Sequence, residues 1–123
     1  MLDVSHLNAI VLVFGMPGCG ACEEYIPRLK LRAQALHEEY RTVVIDEASG
    51  TKRKSKVKVG MLPIFIYDVE SEDLELQKLA DQYEIKAMPT TIVLIRPQGA
   101  LRLEGAIADG HIDHILKQAA EYV

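Results

Sequence analysis

Near its start the chain reads Ala9-Ile10-Val11-Leu12-Val13-Phe14, followed at once by Gly15-Met16-Pro17-Gly18-Cys19-Gly20-Ala21-Cys22. The first run is apolar and rich in β-branched residues, which predicts a strand buried on both faces. Glycine and proline then end the strand pattern. From Cys22 onward apolar residues recur every three or four positions, which is typical of one face of a helix. That face comprises Cys22, Ile26, Leu29, Ala33, Leu36 and Tyr40.

The rest of the chain continues this alternation of strands and helices. Apolar or alternating runs predict strands at 42–45, 62–67, 90–95 and 101–104, with a weaker strand edge at 57–59. We expect Ser71 and Asp109 to cap two further helices, and Pro97-Gln98-Gly99 to form a hairpin turn. The sequence therefore predicts one α/β domain over residues 1–123, with a central mixed sheet and helices on both faces.

Composition excludes several classes of protein. The chain has 123 residues, a net charge of -4 and a pI near 5.5, which makes general binding to nucleic acid unexpected. No apolar run has the roughly 18 residues of a membrane span, and the start lacks the basic and apolar regions of a secretory signal. We expect a cytoplasmic monomer that does not engage a membrane.

Cys19 and Cys22 are the only cysteines, and their spacing leaves three interpretations. A thiol where a helix begins faces unpaired N–H groups, which lower its pKa and favour a reactive dithiol. Free cysteines are also often buried as small apolar residues. A metal site is the weakest interpretation, because a closed zinc site takes four ligands; it would require two such pairs from two chains.

The motif and its context resemble the thioredoxin superfamily. Cys19-Gly20-Ala21-Cys22 after a buried strand is similar to that family's active site. Pro27 stands where thioredoxins carry a proline that kinks the helix. The segment ending in Met88-Pro89-Thr90 is similar to the one that contains their cis-proline. Gly105, between the hairpin and the last helix, resembles their groove glycine.

The resemblance implies a function and a role for each matched residue. It implies a protein-disulfide oxidoreductase without a metal or an organic cofactor, in which Cys19 is the nucleophile and Cys22 the resolving thiol. The substrates would be disulfides of other proteins, and a disulfide reductase would supply electrons. The residues implied to contact substrate, with Pro89 in the cis form, are Gly18, Gly20, Ala21, Met88, Pro89, Gly105 and Ala106.

Three positions depart from the family. Gly18 stands where thioredoxins usually have tryptophan, and Val13 and Ile66 stand where they have a buried aspartate and its lysine partner. Without these charges we expect a raised pKa for the Cys22 thiol. Water, Glu23 or Glu24 would then have to handle its proton.

The length pattern differs as well. The N-terminal part before the first strand is short, and the middle of the chain carries extra residues, including a basic insertion at 51–58. These departures leave a second hypothesis open. The chain could be a thioredoxin-fold binding module with weakened catalysis that binds its partner through the insertion.

Overall fold

The computed structural model describes residues 7–46 and 57–123 of the chain. Within these ranges it contains five strands and three helices. In chain order they are β1 (Ala9–Gly15), α1 (Gly20–Tyr40), β2 (Thr42–Asp46), β3 (Leu62–Asp68), α2 (Leu74–Gln82), β4 (Thr90–Ile95), β5 (Gly99–Glu104) and α3 (Asp109–Ala120).

The strands form one mixed sheet with the order β2-β3-β1-β4-β5. Strands β2, β3 and β1 run parallel, whereas β4 lies antiparallel to β1 and forms a hairpin with β5. All seven residues of β1 are buried, as its unbroken apolar sequence predicts. The predicted mixed sheet and closing hairpin are confirmed.

Helices cover both faces of the sheet, also as predicted. Because successive side chains of a strand point to opposite faces, Val11 and Val13 pack on one side, against α1 and α3. Leu12 and Phe14 pack on the other side, against α2 and the segment that follows it. The glycine-rich turn and Cys19, which follow β1 in the chain, are therefore attached to a strand that lies between two apolar layers.

The edge strand β2 lies in the middle part of the chain, which is predicted to be longer than in thioredoxins. It comes from the middle of the chain, after α1, and pairs with β3 over five residues. The edge of the sheet next to β3 is thus occupied by a strand that follows α1 in the chain. The predicted strand edge at 57–59 is wrong, because these residues form no strand. Most of the basic insertion, at 51–56, lies outside the described residues.

Two of the predicted helix caps are also wrong. Asp73 rather than Ser71 caps α2, accepting a hydrogen bond from the Glu75 N–H at 2.9 Å. Helix α3 has Ala108 at its N-cap, without a side-chain bond, and Asp109 is its first residue. The Asp109 carboxylate is instead bound by a side chain of α1, described below.

Helix α1 offers a direct test of this packing. Leu29 is 2% exposed within the core and Leu31, two residues on, is 66% exposed. We expect Leu29→Ala to lower the free energy of unfolding by about 2–5 kcal/mol, because it opens a cavity. The same substitution at Leu31 should alter the free energy of unfolding by no more than about 0.5 kcal/mol. Urea denaturation measures both values, and equal losses would show that the buried face of α1 is misassigned.

Candidate active site

Cys19 is the N-cap residue of α1, and its sulfur faces the first turn of the helix. The backbone N–H of Cys22 donates a hydrogen bond to the Cys19 Sγ atom at 3.2 Å. The two cysteines form a disulfide with a Cα–Cα distance of 5.2 Å. Cys22 is 2% exposed, whereas Cys19 is half-buried. In a reduced pair, the N–H groups at the helix start would stabilise a thiolate at Cys19, the more accessible sulfur.

Two glycines let the chain turn tightly around this pair. Gly18 has a φ of +78°, a region that side chains with a Cβ atom rarely adopt. A Cβ atom on Gly15 would lie 2.8 Å from the Ile26 Cδ1 atom and 3.5 Å from the Cys22 Sγ atom. The absence of a side chain at residue 15 therefore leaves room for the Ile26 side chain of α1 at the end of β1, whereas the distance to the Cys22 sulfur is an ordinary van der Waals contact.

The loop before β4 brings main-chain groups next to the reactive sulfur. The carbonyl oxygen of Met88 lies 3.7 Å from the Cys19 Sγ atom. The Met88–Pro89 bond is cis, as the sequence predicts, and Pro89 is buried. The N–H of Gly105 donates to the carbonyl oxygen of Pro89 at 2.8 Å. Residues 88–89 and 105–107 thus form two adjacent walls, which we call the candidate groove.

The other predicted site residues lie around the same sulfur. Gly18 and Gly20 flank Cys19 in the chain and are exposed, as is Ala21 in the first turn of α1. Ala106 is exposed on the second wall of the candidate groove. Direct contacts join Cys19 to Met88, 69 positions later in the chain, and Gly105 to Pro89. Contact of the predicted site residues with a substrate stays a prediction.

The two positions at which the family carries charged residues are apolar and buried in this chain. Val13 and Ile66, which stand at the family's aspartate and lysine positions, are direct partners in the parallel β1–β3 ladder. They are 0% and 1% exposed, respectively. Apolar surroundings disfavour the charged form of a thiol, and the low acidity of Cys22 stays a prediction from these two replacements.

One of the two glutamates considered for proton handling is held elsewhere. Arg28 Nε donates to Glu24 Oε1 at 2.6 Å, and Arg28 Nη2 donates to Glu24 Oε2 at 2.9 Å. These hydrogen bonds lower the pKa of Glu24, which makes it a weaker base. Glu23 is exposed in the first turn of α1, where its negative charge interacts favourably with the helix dipole and stabilises the helix.

The predicted apolar face of α1 omitted Tyr25, which is 1% exposed. Its hydroxyl shares a 2.9 Å hydrogen bond with the hydroxyl of Thr91 in β4. Burial raises the pKa of Tyr25, so the phenol is neutral near pH 7. The signal in the sequence was the spacing of Cys22, Tyr25 and Leu29, which places all three on one face of a helix.

The described residues offer neither a metal-binding cluster nor a membrane-spanning helix. Within residues 7–46 and 57–123, no three or more histidine, cysteine, aspartate or glutamate side chains converge in a way that could hold a metal ion. Among the helices of these ranges, none is both long and apolar enough to cross a membrane.

The family model described as a thioredoxin-like domain matches residues 5–120. The chain belongs to the thioredoxin-like family. No curated protein sequence matches this thioredoxin-like chain significantly.

Solved structures agree with the fold of the thioredoxin-like chain. Chloroplastic thioredoxin z is 19% identical and superposes with a TM-score of 0.62, covering 96% of this chain and 83% of its own. Mitochondrial thioredoxin 3 from Saccharomyces cerevisiae is 19% identical with a TM-score of 0.59, covering 94% and 82%. Fasciola hepatica thioredoxin is 18% identical with a TM-score of 0.58, covering 91% and 81%. At these identities the likeness shows the shared fold. Together with the cysteine pair, the fold supports thiol–disulfide exchange in general.

The different exposure of the two sulfurs in this thioredoxin-like site can be measured. In the reduced protein at pH 7 we expect iodoacetamide to label Cys19 and to spare Cys22, because only Cys19 is accessible and close to the helix dipole. Mass spectrometry of the peptides locates the label. Labelling in urea should reach both cysteines. Equal labelling of both thiols in the folded protein would contradict the assignment of Cys19 as the reactive one.

Proposed function

We propose that the protein reduces disulfide bonds of other proteins by dithiol exchange. One observation carries the proposal. Cys19 presents its sulfur at a helix N-terminus, within 3.7 Å of the Met88 carbonyl oxygen, with Cys22 at disulfide distance behind it. This arrangement combines a stabilised thiolate, an adjacent main-chain wall and a second thiol in reach of the first.

The first step joins the substrate to Cys19. The Cys19 thiolate attacks one sulfur of the substrate disulfide, a Cys19–substrate disulfide forms, and the other substrate sulfur leaves as a thiolate that takes up a proton. Main-chain groups at the half-buried Met88 and Gly105 and at the exposed Ala106 would hold the substrate segment extended, as in the addition of a strand to a sheet.

The second step releases the product. Cys22 loses its proton, its thiolate attacks the Cys19 sulfur, and the second substrate sulfur leaves as a thiol after protonation. The substrate gains two electrons and two protons, and Cys19 and Cys22 become a disulfide. Because the side chains of Val13 and Ile66 cannot accept a proton, water that enters from the Cys19 side is the proposed acceptor of the Cys22 proton.

A return to the dithiol state requires two electrons from outside the chain. We propose a disulfide reductase as the donor, and a monomer without an organic cofactor as the active form. The cytoplasm predicted from the sequence would favour this direction, because thiols are kept reduced there.

Reduction of insulin with dithiothreitol as the electron source tests the proposal. We expect the native protein to accelerate precipitation of the insulin B chain. Cys19→Ser should fall to the rate of dithiothreitol alone, because no thiolate remains in the groove. Cys22→Ser should retain the first step and accumulate a mixed disulfide with insulin, visible as a mass adduct.

The outcomes separate the hypotheses. If the native protein and Cys19→Ser both match dithiothreitol alone, reduction of protein disulfides is not its function. If a Cys19→Ser/Cys22→Ser variant then restores growth or another phenotype of a deletion strain as well as the native chain does, the binding-module hypothesis with its insertion at 51–58 replaces it.

A further inference from the structure

The turn of α1 that follows Cys22 is bonded to the second wall of the candidate groove and to β4, the strand that follows the first wall. On one side, the Tyr25 hydroxyl is hydrogen-bonded to Thr91, two residues after Pro89. Both residues are buried, at 1% and 2% exposure. A pair of buried hydroxyls is tolerated only when each satisfies the other, so this bond fixes the start of β4 relative to α1.

Arg28 reaches the other wall. Its Nη1 atom donates to the carbonyl oxygen of Ile107 at 2.5 Å and to the Asp109 carboxylate at 2.9 Å. Glu24 occupies the other edge of the guanidinium with two hydrogen bonds, which fixes the plane of the group. Arg28 thereby ties the chain just beyond Gly105 to α1.

The two attachments are themselves in contact. The Arg28 guanidinium carbon lies 5.7 Å from the centre of the Tyr25 ring, a cation–π distance. On the groove side, the 2.8 Å hydrogen bond from Gly105 to Pro89 joins the two walls. A continuous set of contacts therefore runs from the helix that carries the cysteines, through both walls, and back to the helix.

We propose that Tyr25 and Arg28 are positioning residues, which hold the two groove walls at the separation from Cys19 that a protein disulfide needs. This inference rests on the proposed function. It states how the candidate active site would be adapted to protein substrates. A small disulfide, which only has to reach the Cys19 sulfur, does not depend on the walls. Loss of either residue should therefore discriminate between large and small substrates.

The chain contains a matched control for Arg28 one turn further along α1. Arg32 binds Asp113 of α3 through two hydrogen bonds, of 2.9 Å and 2.5 Å, so it joins the same two helices. Neither of these two hydrogen bonds reaches residues 105–107. Arg28→Met and Arg32→Met each remove one positive charge and one inter-helix ion pair, and both keep an apolar stem.

The experiment compares these variants on insulin and on the small aromatic disulfide 5,5′-dithiobis(2-nitrobenzoic acid). For Arg28→Met we expect kcat/KM on insulin to fall about tenfold, mainly through KM, because a charge-assisted bond to the groove wall is lost. Its rate with the small disulfide should stay within about twofold of the native rate. Arg32→Met should keep both rates. The proposal would be overturned if Arg28→Met lost activity equally on both substrates, or if Arg28→Met and Arg32→Met behaved alike.

Tyr25 is tested by removing first one hydroxyl and then both. Tyr25→Phe leaves the Thr91 hydroxyl buried without its partner, whereas Tyr25→Phe/Thr91→Val leaves an apolar pair that should restore stability. We expect insulin reduction to stay impaired in the double variant although its urea midpoint recovers. Recovery of the insulin rate together with stability would reduce Tyr25 to a purely structural role.

Hydrogen exchange of a backbone amide gives a test that does not depend on disulfide-reducing activity. The Gly105 amide, hydrogen-bonded to Pro89, should exchange faster in Arg28→Met than in the native protein or Arg32→Met. If the native protein reduces neither disulfide, the proposed function fails, yet this exchange still tests the positioning. Unchanged Gly105 exchange in Arg28→Met would refute it.

Discussion

Burial of strand β1 on both faces is the constraint on which the rest of the structure depends. A strand with two apolar faces and two bonded edges needs a neighbour in every direction. Here these are β3, β4 and a layer of helix on either side. The chain must then leave the sheet at Gly15, pass through a short turn and begin α1 directly above it. The position of Cys19 at the helix start follows from this path.

Features with a local cause in the sequence could be predicted. The apolar run of β1, the change of period after Cys22 and the turn residues before β5 each determine their own conformation, and together they give the sheet, the helices and the cysteine pair. The order of the motif, Met88-Pro89 and Gly105 along the chain also suffices to place them at one site, because the family resemblance supplies the topology that joins them.

Features that depend on a distant partner could not be predicted in this way. Tyr25 looks amphipathic in the sequence, and only Thr91, 66 residues later, satisfies its hydroxyl in the core. Asp109 resembles an ordinary helix cap until Arg28 is placed beside it. The choice between Ser71 and Asp73 as the cap of α2 depends on where the chain leaves β3. In each case the local pattern allows several conformations, and tertiary contacts select one.

The candidate site contains a rim of small residues, with Gly18, Gly20 and Ala21 beside Cys19 in the chain and Gly105 and Ala106 on the second wall of the candidate groove. Such a rim offers a partner peptide groups rather than side chains, and peptide groups are the same in every protein. Under the proposed function, the choice of partner would depend little on amino-acid identity. It would depend instead on whether the segment around the partner's disulfide can detach from its own fold and extend, so that local unfolding of the target becomes the selected property.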